Sequence, residues 1–252
     1  MGSKERAADS GVTRPDGPKR VAICPYHSFI EPACERGLSE LEERGWVVWR
    51  RQSSAAIDRE RGRLATAALD QGYDALLWVD SDQEFDADCA ERLYEDDVPF
   101  VSALIARRGA RDFACVFSDD LAQVSLGTAG SVVPVRFVGS GFALVRRVAF
   151  EAVQQHFALP RIRDAAGPIV PYFLPMVTEV TGAGLCYLGE DFAFCERLHR
   201  ASIPVLVDTR PRIGHIGQYS YQWEDVIEER CRVETAQLVV ARTPSLSRPR
   251  GV

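Results

Sequence analysis

The sequence lacks long apolar runs, paired cysteine spacings and any excess of positive charge. Its seven cysteines are scattered and never spaced Cys-x-x-Cys, which argues against a zinc ribbon or a disulfide framework. Cysteines that form no disulfides are expected in a reducing cytosol, so we expect a cytoplasmic protein. No stretch is apolar enough for a secretory signal or a membrane span. The formal net charge of −6 argues against sequence-independent binding of nucleic acid, which needs clustered Lys and Arg.

The length and the composition indicate one globular domain. The chain has 252 residues, of which 46% are hydrophobic and 26% charged, as expected for one α/β domain with a substantial core. Residues 1–18 are polar and contain several Gly and Pro residues, which predicts a disordered leader. We expect residues 19–242 to form a single domain and residues 243–252 to form a polar tail.

Short apolar runs alternate with helical patterns in the first half of the chain. This alternation predicts a largely parallel sheet between layers of helices, and hence an α/β fold. The predicted strands are Arg20–Tyr26, Trp46–Arg51, Ala75–Asp80 and Phe100–Ile105, and the predicted helices are Ala33–Arg44, Ile57–Gln71 and Ala87–Glu95.

The second half has a different pattern and predicts a mixed α+β arrangement. We expect a hairpin of Phe113–Ser118 with Gln123–Leu126, then a strand through Pro134–Arg146, a long loop over Leu159–Gly189, a helix over Glu190–Ala201, a strand at Pro204–Asp208 and a closing helix at Trp223–Arg242. A loop as long as Leu159–Gly189 is usually functional or mobile.

The most informative segment runs from Asp74 to Asp82, where an apolar strand leads directly into two carboxylates. Side chains alternate along a strand, so Asp80 and Asp82 are predicted to face the same way. They would lie at the carboxyl end of a central strand, where open α/β sheets bind their ligands. Two carboxylates there suit Mg²⁺ or Mn²⁺. The alternative is an acidic turn that caps the next helix.

Six short segments, in this order, resemble the glycosyltransferases of the GT-A fold, which use nucleotide-diphospho-sugar donors. They are Val21-Ala-Ile-Cys-Pro-Tyr26, Ser54-x-x-Ile57-Asp-x-x-Arg61, Trp78-Val-Asp-Ser-Asp82, Val138-Gly-Ser-Gly-Phe142, Gly189-Glu-Asp-Phe192 and Gly214-His-Ile-Gly217. The resemblance implies a mostly parallel central sheet flanked by helices, with a mixed α+β half on the acceptor side. It also implies transfer of a sugar from a donor of the UDP or GDP type to a hydroxyl acceptor.

The resemblance assigns expected roles on the donor side. Pro25 and Tyr26 would hold the nucleotide base in the loop after the first strand, and Asp80, Asp82 and His215 would hold Mn²⁺ or Mg²⁺. Ser81 and the segment Gly139-Ser140-Gly141 would border the donor. From the residues alone, Tyr26 can equally be a surface residue, His215 a structural histidine, and the glycines a bulge in a strand.

Arg61 is the expected partner of the diphosphate or of Asp80, because a guanidinium can bind either one in bidentate fashion. The family often has an Arg-Asn pair here, whereas this chain has Gly62 after Arg61. That departure leaves Arg63 as a second candidate, and Arg59, Arg61 and Arg63 can also include a solvated helix face.

Glu190 and Asp191 begin a predicted helix, and Asp191 falls on its apolar face. The resemblance implies that these carboxylates bind the acceptor hydroxyl. We expect Asp191 to act as the base and Glu190 to bind the acceptor, since a carboxylate within hydrogen-bonding reach can take the proton of an alcohol. Acidic residues are also favourable in a first helical turn for dipole reasons alone.

Other functions are compatible with parts of this pattern. A nucleotidyltransferase also binds Mg²⁺ beside a nucleotide, but it usually has a Gly-rich basic loop that Cys24–Phe29 lacks. A phosphatase of the haloacid dehalogenase type has its Asp-x-Asp after the first strand, whereas Asp80 follows the third. A non-catalytic nucleotide-sugar-binding module is the third alternative. Inversion or retention at the sugar and the oligomeric state stay open.

Overall fold

The regular elements follow the apolar runs of the sequence. A computed structural model describes residues 19–53, 56–118, 120–227 and 233–240. The strands are β1 (Arg20–Tyr26), β2 (Val47–Gln52), β3 (Ala75–Val79), β4 (Gln83–Glu84), β5 (Phe100–Ile105), β6 (Cys115–Phe117), β7 (Gln123–Gly127), β8 (Val132–Val138), β9 (Phe142–Arg146), β10 (Ile162–Asp164), β11 (Gly167–Ile169), β12 (Met176–Val180), β13 (Gly184–Leu188), β14 (Leu206–Ile216), β15 (Ser220–Tyr221) and β16 (Thr235–Val239). The helices are α1 (Pro32–Glu43), α2 (Ile57–Asp70), α3 (Ala87–Glu95), α4 (Arg147–Phe157), α5 (Glu190–Arg200) and α6 (Trp223–Ile227).

One large mixed sheet organises the described part of the chain. Its strand order is β2-β1-β3-β9-β5-β14-β8-β6, and the short strands β4 and β15 pair with the end of β14. β9 and β8 run antiparallel to their neighbours, and the other six strands of this path run in one direction. The carboxyl ends of β1, β3 and β5 therefore meet at one edge of the sheet.

Helices cover both faces of this sheet. Along β3, Leu76 and Trp78 join the core beneath α2, α4 and α5, whereas Ala75, Leu77 and Val79 join the core beneath α1 and α3. This alternation matches the two-residue period of a strand. All residues of β3 and β5 are buried, as expected for strands covered on both faces.

The predicted α/β class is confirmed, with a largely parallel first half and a mixed second half. The bounds predicted for β1, β5 and α3 agree with the structure, and those of β2, β3, α1, α2 and α5 differ by one residue at one or both ends. Strong apolar periodicity explains this agreement, because each of these elements buries a face that its own sequence defines.

The prediction of one continuous strand through Pro134–Arg146 is wrong. The alternative that its glycines form a bulge within that strand is also wrong. Gly139, Ser140 and Gly141 separate β8 from β9, and the two strands lie apart in the sheet with β5 and β14 between them. The glycines therefore allow a crossover of the chain. The predicted hairpin of β6 with β7 is also wrong, because β6 pairs with β8 and β7 pairs with β16.

Three further predictions need correction. The segment Leu159–Gly189 contains two hairpins, β10 with β11 and β12 with β13, instead of one loop. The strand predicted to end at Asp208 continues to Ile216 as β14. Within the predicted closing helix Trp223–Arg242, the structure describes Trp223–Ile227 as α6 and Thr235–Val239 as a strand that completes a two-stranded sheet with β7, and residues 228–232 and 241–242 lie outside the described residues.

Some expectations fall outside the described residues, namely the leader 1–18, the tail 243–252 and Ser54. Within the described residues, no helix is long and apolar enough to cross a membrane.

Candidate active site

A buried arginine forms the centre of the candidate site. Arg61 projects from α2, is 1% exposed and lies 5.4 Å from the ring centre of Trp78. Its Nη2 donates to Asp80 Oδ1 at 2.8 Å, and its Nη1 donates to the carbonyl oxygen of Ser140 at 3.4 Å. Burial would lower the pKa of Arg61, but the charges of Asp80, Asp191 and Glu190 raise it, so the guanidinium stays charged.

Asp80 lies directly after β3, in contact with the crossover glycines. Its amide donates to the carbonyl oxygen of Gly141 at 2.8 Å. A Cβ on Gly141 would lie 3.0 Å from Asp80 Oδ2, so only glycine lets the backbone approach the carboxylate without displacing it. Loss of hydration raises the pKa of Asp80, and Arg61 offsets part of this rise. Since 39% of the side chain is accessible, a ligand can still reach the carboxylate.

Asp191 and Glu190 reach the same cluster from the first turn of α5. Asp191 Oδ1 lies 3.9 Å from Arg61 Nε, and a Cβ on Gly139 would lie 3.8 Å from Asp191 Oδ2. Burial and the neighbouring Asp191 raise the pKa of Glu190. The structure thus brings together three of the four predicted carboxylates of the site.

Three buried polar atoms of this cluster have no hydrogen-bond partner among the described residues. They are Arg61 Nε, Ser140 Oγ and Asp191 Oδ1. Buried polar atoms are nearly always paired, so these three need hydrogen-bond partners from water or from a bound ligand.

Asp82 faces a different set of groups. Because β3 ends at Val79, the alternation predicted for Asp80 and Asp82 does not continue, and Asp82 lies in the turn that precedes β4. Its Oδ2 lies 3.4 Å from His215 Nε2 and 3.0 Å from Arg108 Nη1. Burial would raise the pKa of Asp82, but His215 and Arg108 lower it overall.

His215 lies within β14, beyond the predicted end of that strand at Asp208. It pairs with Gln83 of β4 and Tyr221 of β15. The preceding Gly214 is required by crowding, since a Cβ there would lie 2.4 Å from both Ser220 Oγ and Gln222 Nε2. The strand therefore holds the histidine rigidly beside Asp82.

One hydrogen bond fixes the tautomer of His215. Its Nδ1 lies 2.9 Å from the carbonyl oxygen of Ala106, which can only accept a hydrogen bond. Nδ1 therefore carries a proton, and in the neutral ring the lone pair of Nε2 points toward Asp82. This backbone anchoring is typical of histidines that bind metals.

The donor set around Asp82 fits a divalent cation. A carboxylate oxygen and an imidazole nitrogen together suit Mn²⁺, with remaining positions for phosphate oxygens and water. Asp80 is instead held by Arg61, so its expected role as a metal ligand stays a prediction. Within the described residues, no group of three or more His, Cys, Asp or Glu side chains forms a metal site by itself.

The remaining predicted residues lie at the same edge of the sheet. Pro25 is buried and Tyr26 half-buried, and both form the last pairs of β1 with β2, not a loop. Ser81 follows Asp80 and accepts a hydrogen bond from the Glu31 amide. In the described part of the chain, no hydrogen bond or ion pair joins the side chains of Pro25 or Tyr26 to Asp80, so their role in base binding stays a prediction.

The sequence reasoning missed two contributors, Arg108 and the carbonyl of Ala106. Both follow β5, and β5 runs parallel to β3 with β9 between them. That arrangement could have identified them, because residues just beyond parallel strands meet at one edge of a sheet. Of the two candidate arginines, Arg61 contacts Asp80, whereas Arg63 pairs with Glu60 on its own helix.

No protein-family model matches the chain. No curated protein matches it either. Among solved structures, it is similar to A197 from STIV, with 14% identity, a TM-score of 0.50 and coverage of 82% of this chain and 91% of that one. This likeness supports the fold and nothing beyond it.

The similar structures include glycosyltransferases and a nucleotidyltransferase. GalNAc-T7, in a complex with UDP, GalNAc and Mn²⁺, shares 12% identity at a TM-score of 0.48; the match covers 84% of this chain and only 45% of that one. The inositol-1-phosphate CTP transferase from T. maritima shares 10% identity at a TM-score of 0.35, with coverage of 79% and 90%. Scores this low carry no argument about activity.

Proposed function

We propose that the protein is a metal-dependent glycosyltransferase of the GT-A type, with residues 19–242 as its catalytic unit. It transfers a sugar from a UDP- or GDP-type donor to a hydroxyl acceptor. The observation that carries this proposal is the 3.4 Å approach of Asp82 and His215 with Nδ1 of His215 tied to Ala106, beside the cluster of Arg61, Asp80 and Asp191.

The residues divide into a donor side and an acceptor side. Asp82 and His215 hold Mn²⁺ or Mg²⁺, which when bound neutralises the charge that develops on the departing diphosphate. Arg61 fixes Asp80 at the edge of the donor site, and the glycines at 139 and 141 let the crossover backbone pass close to the carboxylates of Asp191 and Asp80. Tyr26 and Pro25 would receive the base.

On the acceptor side, Asp191 takes the proton of the acceptor hydroxyl as its oxygen bonds to the anomeric carbon and the bond to the diphosphate breaks. Glu190 binds the same acceptor. Burial and the neighbouring Asp191 raise the pKa of Glu190 above its ordinary value. Arg61 Nε lies 3.9 Å from Asp191 Oδ1, where its charge orients the base.

Release of nucleoside diphosphate from a panel of UDP- and GDP-sugars tests this proposal. We expect release with Mn²⁺ or Mg²⁺ and none in EDTA. Asp82→Asn weakens the cation site, and Asp191→Asn removes the base; each should lower the rate by about 100-fold or more. Asp88→Asn is the control, because Asp88 is 77% exposed and pairs only with Arg44 in the described structure.

Full release in EDTA would contradict the metal role. Pyrophosphate release from a nucleoside triphosphate and a sugar phosphate would instead identify a nucleotidyltransferase. Tight binding of a nucleotide sugar without turnover would identify a non-catalytic module.

A further inference from the structure

Arg108 occupies the position beside Asp82 that a cation would take. Its Nη1 lies 3.0 Å from Asp82 Oδ2 and donates to the carbonyl oxygen of Ile216 at 3.2 Å. The same Oδ2 faces His215 Nε2, while Asp82 Oδ1 accepts a hydrogen bond from Gln83 at 3.0 Å. Both oxygens of Asp82 are therefore engaged by the protein itself.

A divalent ion held by Asp82 and His215 must displace Arg108 from Oδ2 of Asp82. Breaking this ion pair costs little free energy, because half of the Arg108 side chain is exposed and exposed ion pairs are weak. The stem of Arg108 stays in place, since it packs so closely on Gly217 that a Cβ there would lie 3.0 Å from Arg108 Cδ. The released guanidinium then lies next to the cation with free donors, and guanidinium groups bind phosphate oxygens in bidentate fashion.

We propose that Arg108 exchanges partners during donor binding. In the free protein it neutralises Asp82, and when the cation takes Asp82 it binds the diphosphate of the donor. This inference rests on the proposed function for the identity of the donor. It makes Arg108 a competitor of the cation and a ligand of the nucleotide, so that it couples the binding of the two.

Two affinities measured on Arg108→Gln test the exchange. The first is the affinity for Mn²⁺ alone, by electron paramagnetic resonance; it should rise about two- to fivefold, because the competing charge is gone. The second is the affinity for UDP and for GDP at saturating Mn²⁺, by calorimetry; it should fall about tenfold, because a charged hydrogen-bond donor is lost.

Arg107→Gln is the matched control. Arg107 precedes Arg108, is exposed, and lies 3.8 Å from Asp112 with no contact to Asp82 among the described residues. It should change neither affinity. Arg108→Lys keeps a positive charge, so it should keep the Mn²⁺ affinity near that of the wild type and lose part of the nucleotide affinity.

Opposite shifts of the two affinities in Arg108→Gln support the exchange. A weaker nucleotide affinity with unchanged Mn²⁺ affinity would overturn the competition, and a stronger Mn²⁺ affinity with unchanged nucleotide affinity would overturn the phosphate contact. The Mn²⁺ measurement needs no nucleotide. A wild-type protein that binds Mn²⁺ but neither UDP nor GDP would therefore refute the donor class of the proposed function separately from the competition at Asp82.

Discussion

At the residue scale, Arg61 carries a full charge inside the protein and is stabilised by specific partners. Asp80 and Asp191 balance its charge, Ser140 accepts one of its hydrogen bonds, and Trp78 lies against its guanidinium. A buried charge of this kind is costly unless each partner stays in place. Arg61 therefore links the stability of the fold to the geometry of the site.

We expect Arg61→Lys to lower the free energy of unfolding by about 2 kcal/mol, because an ammonium group cannot reproduce the planar contacts with Asp80, Ser140 and Trp78. Arg63→Lys, on the same helix, should change it by less than about 0.5 kcal/mol, since the Arg63 side chain is 27% exposed and an ammonium group can still pair with Glu60 one turn away. Urea unfolding measures both values. Equal losses in the two variants would show that Arg61 has no special structural role.

At the element scale, β14 connects the site to the end of the described chain. It carries His215 and also Arg212, whose Nη1 binds both oxygens of Glu224 in α6 and whose guanidinium lies 4.4 Å from the Trp223 ring centre. Glu224 also accepts a hydrogen bond from the Val233 amide at 2.9 Å. These contacts hold α6 and the approach to β16 against the sheet.

This arrangement predicts a pH dependence of stability. Burial would raise the pKa of Glu224, but the contacts with Arg212 and Val233 lower it below its ordinary value of 4.5. The folded state thus favours the ionised carboxylate, and its stabilisation is complete above pH 4.5 and lost as the pH falls through the folded-state pKa.

The melting temperature of the wild type should therefore exceed that of Glu224→Gln at pH 7 and approach it as the pH falls below 4.5. Glu151→Gln is the control, because Glu151 is 60% exposed and lies 3.7 Å from Arg147. It should follow the wild type at every pH. A constant difference between the wild type and Glu224→Gln would contradict the ionised pair.

At the scale of the whole molecule, the elements that could be predicted from the sequence are those set by local apolar periodicity. β1, β3 and β5 are continuous apolar runs, and α2 and α5 each bury one face. The positions of Asp80 after β3, of Arg61 on α2 and of Asp191 on α5 could therefore be predicted. Long-range pairing was not predictable in this way. Thr235–Val239 is a strand only because β7 lies beside it, and His215 meets Asp82 only because β14 continues past Asp208 to the turn after β3.

The central claim is that a divalent cation binds between Asp82 and His215 together with a nucleoside diphosphate. Crystals soaked with Mn²⁺ and UDP or GDP, measured at the manganese absorption edge, locate that ion directly. We expect an anomalous peak bonded to Asp82 and to Nε2 of His215, in contact with the diphosphate. A bound diphosphate with no peak at these two residues would contradict it.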